Sequence, residues 1–262
     1  MADTVTNFGP AASSRPRLTA RPETFAEQFL NSSVVWLALM AYWALSDVII
    51  GIFPPGGRQV QPDGWLVHLG FTIAGLLAIA AMHRTGFPAA WDARFAARNR
   101  LLLPLLVGAA GGLLAIGIEL YGGATKILAA KLGGAFNVDF PGSLLVYSAG
   151  AISMEALFLL IPLPILLWLI SNVILRGRGQ TQTFWALAVV SSAAEPLLQG
   201  GSLVLLAGGA LPTPVVVMYA IESFAHNFAS AYLFRRYGFL AAILVRLGHY
   251  MLWHVLFGNF CM

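Results

Sequence analysis

The sequence contains little charge. Lys, Arg, Asp and Glu together make up 10% of the 262 residues, and 58% are hydrophobic. Water-soluble domains carry about a quarter charged residues. The 15 basic and 11 acidic side chains are therefore too few to cover a folded surface of this size in water. The composition excludes a cytosolic enzyme and a nucleic-acid-binding protein, despite a pI near 9.5, and indicates that the lipid bilayer is part of the solvent.

Cysteine and lysine are also scarce. Cys261 is the sole cysteine, which excludes an internal disulfide, a thiolate metal site and a CxxCH haem attachment. The two lysines, Lys126 and Lys131, lie outside the apolar runs. This excludes a retinal receptor, which needs a lysine within the membrane for its Schiff base.

Apolar runs of about 20 residues predict an all-α polytopic membrane helix bundle of about seven transmembrane helices. The predicted spans are 33–53, 64–83, 101–121, 143–175, 183–207, 214–234 and 237–257. The fourth is too long for one straight crossing and contains Pro162 and Pro164, so we expect a bend or a second short helix there. The chain then divides into a polar cytoplasmic tail (1–32), N-terminal membrane helices (33–142) and a helical core (143–262).

The loop charges predict the orientation. With the N-terminus inside, the inner segments carry 11 arginines and the outer segments carry Arg58, Lys126 and Lys131. This bias follows the positive-inside rule, so we expect the N-terminus inside and the C-terminus outside. The basic surplus thus reports topology and does not indicate an acidic partner.

Ionisable side chains within the predicted spans are the most informative residues. They are Asp47, Glu119, Glu155, Glu195, Glu222, Arg246, His226, His249 and His254. A charge at the bilayer centre costs roughly 2.5–3.5 kcal/mol. If the five carboxylates and Arg246 all faced lipid as ions, the total cost would be about 15–20 kcal/mol. That exceeds the stability of a typical folded protein, about 5–15 kcal/mol. These groups must face the bundle interior, form pairs or be neutralised.

Depth along the spans predicts that several of these groups meet. Glu195, Glu222 and His249 each lie 12 residues from the inner end of their span, roughly 18 Å at about 1.5 Å per residue. His226 lies one turn from Glu222, and Arg246 lies three residues before His249. Together with Glu155, these residues form the candidate site. A purely structural role remains open, in which Arg246 neutralises a glutamate within a salt-bridge network that fixes helix packing.

The other polar residues in the spans favour structural roles. Asp47 and Glu119 lie near span ends, and His68 and His83 are typical packing or interface residues. His254 is five residues after His249, about 140° around the helix, so both cannot easily face one point.

The C-terminal half, about 143–257, resembles the CPBP family of intramembrane proteases, which includes CAAX prenyl endopeptidases and bacteriocin-processing or immunity proteins. The family's EExxFR-like motif corresponds to Met154-Glu155-Ala156-Leu157-Phe158-Leu159, and its middle motif to Ser191-Ser192-Ala193-Ala194-Glu195. The clearest match is Leu233-Phe234-Arg235-Arg236-Tyr237-Gly238 followed by His249-Tyr250-Met251-Leu252-Trp253. The resemblance implies a helical membrane core and peptidase activity.

The chain departs from the family pattern at functional positions. Met154 replaces the first glutamate, Leu159 the arginine, Glu195 the middle histidine and Trp253 the asparagine that would help to hold an oxyanion. Of the residues that the family uses for chemistry, His249 remains. Methionine cannot accept a proton, and tryptophan offers one N–H donor.

Three functions are therefore considered. The first is a divergent intramembrane peptidase, acting on membrane-associated or prenylated peptides, with Glu155, Glu195 and His249 as catalytic candidates. Glu222 and His226 would orient the water or, with His249, hold a divalent metal ion. The second is a catalytically inactive relative that binds a hydrophobic partner, and the third is a small proton-linked transporter. We expect a bacterial-type cytoplasmic membrane in each case.

Overall fold

The computed structural model describes residues 24–262. Helix makes up 79% of the structure, and residues 24–262 contain no strand. The helices are α1 (Phe25–Ile52), α2 (Trp65–Arg84), α3 (Arg98–Gly122), α4 (Ala124–Leu132), α5 (Gly142–Ile174), α6 (Gln180–Ala207), α7 (Thr213–Tyr237) and α8 (Phe239–Phe260). The predicted all-α membrane bundle is confirmed.

The first helix begins earlier than the sequence predicted. Thr24 and Glu27 form a capping box, in which each side chain bonds the backbone N–H of the other, and this box starts α1 at Phe25. Residues 25–32, predicted as the end of the polar tail, are therefore helical. The remainder of that predicted tail, residues 1–23, lies outside the described residues.

Six of the described helices are long and apolar enough to cross a membrane: α1, α2, α3, α5, α6 and α8. The protein is thus a multi-pass membrane protein. The remaining predicted span, 214–234, is α7, which has 25 residues but is less apolar than the six. It packs against α3, α6 and α8, so its polar residues contact protein and a strongly apolar sequence is not required of it.

The long fifth helix is interrupted where the sequence predicted a bend. The Ile161 N–H bonds to the Ala156 carbonyl, an i to i−5 hydrogen bond, and a short helix then begins at Pro162. Proline lacks the N–H that a continuous helix would use. The interruption places Glu155 at the end of a straight segment, Gly142–Glu155.

Helices α7 and α8 form a tight antiparallel hairpin. A single residue, Gly238, joins them with φ of +90°, a conformation that favours glycine. Residues at equal distances from the turn lie side by side in such a hairpin. His226 is 12 residues before Gly238 and His249 is 11 residues after it, so the turn itself brings the two imidazoles together.

Helix α8 also packs closely against α3. A Cβ on Gly108 would lie 1.8 Å from the Val245 carbonyl oxygen, and one on Gly248 would lie 2.2 Å from that of Leu105. Gly108 and Gly112, a pair of small residues four apart on α3, both lie against α8. The main apolar core lies beside this contact and contains Trp36, Met40, Trp43, Leu163 and Phe234 among its members.

Candidate functional site

Arg246 on α8 binds two glutamates from different helices. Its Nε donates to Glu155 Oε1 at 2.9 Å, and its Nη1 and Nη2 donate to the two oxygens of Glu195 at 2.8 and 2.5 Å. The Arg246 and Glu155 side chains are 3% and 1% exposed. The bidentate contact with Glu195 matches the planar fork of a guanidinium. This ion-pair cluster joins α5, α6 and α8.

Two neutral side chains on α7 complete the ion-pair cluster. Asn227 Oδ1 accepts from Arg246 Nη2 at 2.8 Å, while its Nδ2 donates to the Ser192 carbonyl at 3.3 Å. The Ser230 hydroxyl donates to Glu155 Oε1 at 3.2 Å. Four helices therefore meet at this cluster, where Glu155 Oε1 and both oxygens of Glu195 accept hydrogen bonds from protein donors.

A second polar group, the Glu–His–His group, consists of Glu222 and His226 on α7 and His249 on α8. Glu222 and His226 share a face because they are four residues apart. Their possible ligand atoms, with one from His249, all lie within 4.8 Å of one another. His249 Nδ1 is 3.4 Å from Glu222 Oε1, and the two imidazole centroids are 4.8 Å apart.

The Glu–His–His group has polar atoms without partners. Glu222 Oε1, His226 Nε2 and His249 Nδ1 are buried and make no hydrogen bond within the described part of the chain. An unpaired buried polar atom costs about 1–3 kcal/mol. The contrast with the ion-pair cluster is clear, because there the carboxylates are satisfied by Arg246.

Gly111 on α3 faces the Glu–His–His group. A Cβ at this position would lie 3.2 Å from His226 Nδ1, 3.3 Å from Glu222 Oε1 and 3.4 Å from His249 Nδ1. Apart from the neighbouring backbone of α3, these are the three atoms nearest to that point. One nitrogen or oxygen from each of the three side chains therefore borders a common position above the glycine backbone.

The predicted site residues thus fall into two adjacent groups. Arg246 pairs with both Glu155 and Glu195. His249 lies in the other group, beside Glu222 and His226. The two groups are adjacent along both helices. Asn227 of the ion-pair cluster follows His226 on α7, and Arg246 is one turn from His249 on α8.

The other polar residues within the spans have separate partners. Glu119 accepts the Thr125 N–H at 3.1 Å and the Tyr219 hydroxyl at 3.2 Å. His254 Nδ1 is 2.8 Å from Asn137 Oδ1, and Asp47 is 3.0 Å from His68. His83 Nε2 lies 2.9 Å from the Ser32 hydroxyl. These contacts agree with the structural roles that the sequence predicted for Asp47, Glu119, His68 and His83.

Sequence reasoning missed Gly111, Asn227 and Ser230. The polar positions Glu222, His226 and Ser230 follow a four-residue spacing, with Asn227 adjacent, and this stripe on one helix face was a usable signal. Gly111 gave no such signal, because its role depends on which helix crosses α7 and α8. Trp253, where the CPBP pattern has asparagine, packs with Ala115 and Phe257 in an apolar cluster.

No protein-family model matches the sequence, and the chain has no significant match among the curated proteins or the solved structures. The resemblance to the CPBP family therefore rests on the sequence motifs alone.

Proposed function

We propose that this protein is a divergent CPBP-like intramembrane peptidase that cleaves membrane-associated or prenylated peptides. The observation that carries the proposal is the Glu–His–His group, in which three side chains lie within 4.8 Å of one another inside a membrane bundle and each has a buried polar atom that makes no hydrogen bond in the described chain. Polar groups within a membrane are costly and usually functional. A carboxylate next to an imidazole is a common arrangement for general acid–base catalysis.

The geometry suggests a role for each residue. In peptide hydrolysis the water oxygen bonds to the carbonyl carbon, one proton leaves the water, and the C–N bond breaks as the leaving nitrogen gains a proton. Glu222 would accept the proton from water, since its Oε1 has no other partner. His249, 3.4 Å from that oxygen, would deliver a proton to the leaving nitrogen. His226 would orient the water.

Glu155 and Glu195 take a positioning role in this proposal. Their oxygens already accept hydrogen bonds from Arg246, so they are less suited than Glu222 to accept a proton. By joining α5 and α6 to α8, they would hold His249 in place. The sequence had indicated Glu155 or Glu195 as the residue that activates water. In this proposal Glu222 takes that role.

A catalytically inactive relative that binds a hydrophobic partner is the second candidate. It is favoured by the ion-pair cluster, because Glu155, the glutamate that matches the family motif, is engaged in an ion pair with Arg246. Met154 and Trp253 also favour an inactive relative, because neither residue can perform the family's chemistry at its position.

The proposed orientation is N-terminus inside and C-terminus outside a bacterial-type cytoplasmic membrane. Three chain segments with arginine-rich neighbours meet at one end of the bundle. There the Thr85 carbonyl accepts from Arg235 Nη1 at 2.7 Å and from Gln180 Nε2 at 2.8 Å. Gathered positive charge of this kind favours the cytoplasmic face.

The test is cleavage by purified protein in liposomes. Synthetic transmembrane peptides and a farnesylated CAAX peptide are incubated with the protein, and products are identified by mass spectrometry. Glu222→Gln and His249→Asn should each lower kcat/KM by about 100-fold or more, since each removes a proton-transfer group. His68→Asn, which changes a histidine outside both polar groups, is the matched control and should keep wild-type activity.

Wild-type rates in Glu222→Gln and His249→Asn would refute the proposed site. Binding of either peptide without cleavage by the wild type would favour the inactive relative. Circular dichroism and size-exclusion chromatography confirm that each variant is folded before its rate is interpreted.

A further inference from the structure

We infer that Glu222, His226 and His249 bind a divalent transition-metal cation of the Zn²⁺ class. Each residue is about nine-tenths buried, and each has a buried polar atom without a hydrogen-bond partner in the described chain. Buried polar atoms are nearly always satisfied by protein, water or an ion. The inference goes beyond the proposed peptidase activity, because the ion would bind whether or not the protein cleaves peptides.

The donor set selects the kind of ion. Two imidazoles and one carboxylate are ligands that Zn²⁺ accepts, and three protein ligands leave a fourth position open. Mg²⁺ and Ca²⁺ prefer all-oxygen ligands, so they fit this group poorly. The same set also accepts Co²⁺, which provides a spectroscopic probe.

The spacing is close to that of a tetrahedral site. Atoms about 2.1 Å from a tetrahedral Zn²⁺ lie about 3.4 Å from one another. Glu222 Oε1 and His249 Nδ1 are already 3.4 Å apart. The widest separation in the group is within 4.8 Å, so closure onto an ion needs a movement of about 1 Å, within the reach of side-chain rotation.

Gly111 provides space at the convergence point. A Cβ there would lie 3.2–3.4 Å from one polar atom of each of the three residues, and no other atom of the facing helices is nearer. Gly112 differs, because its Cβ would meet the His249 carbonyl at 2.9 Å and the Leu252 side chain at 3.0 Å. Gly112 therefore serves helix packing, whereas Gly111 faces the unpartnered Glu222 Oε1 and His249 Nδ1 together with His226 Nδ1, the other ring nitrogen of that histidine being the unpartnered one.

Charge balance gives an independent argument. The two adjacent polar groups contain three carboxylates, of Glu155, Glu195 and Glu222, and one guanidinium, of Arg246. With all ionised and the histidines neutral, their formal charge is −2. An excess of charge within a bilayer is strongly unfavourable. A bound dication neutralises it.

Within the proposed peptidase, such an ion would supply a Lewis acid and lower the pKa of a bound water. With the ion bound, His249 would act as a ligand in place of its role as proton donor, and the second carboxylate oxygen of Glu222 would remain to accept a proton. The experiment below measures binding directly, so its result does not depend on finding a substrate.

The experiment measures zinc in purified protein. The wild type, produced without a histidine tag, is stripped with EDTA in detergent, reloaded with Zn²⁺, desalted and analysed by plasma mass spectrometry. The expected stoichiometry is about one ion per chain, as for a single three-ligand site. Loading with Co²⁺ should give visible absorption bands with the intensity typical of four-coordinate sites.

Ligand variants and a glycine variant localise the ion. Glu222→Gln, His226→Asn and His249→Asn should each weaken Zn²⁺ binding by about 100-fold or more. Losing a direct ligand should cost more affinity than losing a residue that only hydrogen-bonds to a ligand. Gly111→Ala keeps all three ligands but places a methyl group between them, and should weaken binding by about 10-fold. Gly117→Ala, on the same helix with no atom near its Cβ, is the matched control and should bind as the wild type does.

A folded wild type that retains no zinc would overturn the inference. Zinc binding as strong as the wild type's in the three ligand variants would also overturn it, since the ion would then bind elsewhere. Peptide cleavage that is insensitive to EDTA bears on the proposed function only, whereas the stoichiometry decides the metal site.

Discussion

Arg246 is the residue on which the buried charge of the bundle depends. It is 3% exposed and binds carboxylates from α5 and α6, together with the amide oxygen of Asn227. Burying charges costs several kcal/mol per ion, and the attraction repays that cost only when the geometry and hydrogen bonding are good. Here the guanidinium makes four hydrogen bonds to three side chains.

Arg246→Met should therefore destabilise the protein by about 3–5 kcal/mol, because it leaves two buried carboxylates without a positive partner. The measurement is the free energy of unfolding in mixed micelles, with the wild type as reference. Glu155→Gln, Glu195→Gln and Arg246→Met combined should recover much of the loss, since all the charges are then removed together. Wild-type stability in Arg246→Met would contradict the assigned pairing.

At the scale of elements, the crossing of α3 and α8 positions His249. Gly108 and Gly248 allow the two backbones to approach until the Cβ positions almost touch carbonyl oxygens of the partner helix. Because Gly111 lies on the same stretch of α3, this crossing also places it against the Glu–His–His group. Small residues are a usual means of such close packing in membranes.

Gly108→Ala should push α3 and α8 apart, because its Cβ would lie 1.8 Å from the Val245 carbonyl oxygen. Overpacking of this kind costs about 1–3 kcal/mol or more. The expected result is a lower unfolding temperature in detergent. Gly117→Ala, on the same helix, adds a methyl group into open space and should leave the temperature unchanged. Equal temperatures for both variants would show that the helices do not cross at Gly108.

At the scale of the whole molecule, the arrangement of the loops has a testable consequence for topology. The sole cysteine, Cys261, is exposed near the C-terminus, and Ala97 is exposed before α3. In the proposed orientation Cys261 faces the outside and Ala97 the cytoplasm. One chain thus provides a reporter for each side of the membrane.

A membrane-impermeant maleimide should label Cys261 in spheroplasts without permeabilisation. In a Cys261→Ser background, Ala97→Cys should react only after the membrane is opened, because arginine-rich loops stay in the cytoplasm. Labelling is read as a mass shift on a gel. The reverse pattern would invert the proposed topology.

Much of the fold could be predicted because lipid restricts the possible structures. A backbone in hydrocarbon must satisfy its own hydrogen bonds, so long apolar runs become helices. The break in α5 followed from Pro162 and Pro164 for a related reason. The start of α1 was placed several residues late, because the capping box at Thr24 and Glu27 lies before the apolar run.

The sequence could predict which residues belong to the candidate site, but not how they divide between the ion-pair cluster and the Glu–His–His group. Spacing along the chain places Glu222 and His226 on one face, and depth brings Glu195 and His249 to one level. Which carboxylate meets Arg246 depends on how α5, α6 and α8 rotate about their axes. Depth counting carries no information on rotation.

The sequence by itself determined that this chain is a membrane bundle and that its ionisable groups turn inward, because exposing charge to lipid is too costly. Only the tertiary structure decided that Arg246 pairs with Glu155 and Glu195, while Glu222, His226 and His249 lie against Gly111 and each keeps a buried polar atom without a hydrogen bond in the described chain. That partition follows from helix crossing and rotation, which are set by close contacts between residues far apart in the chain.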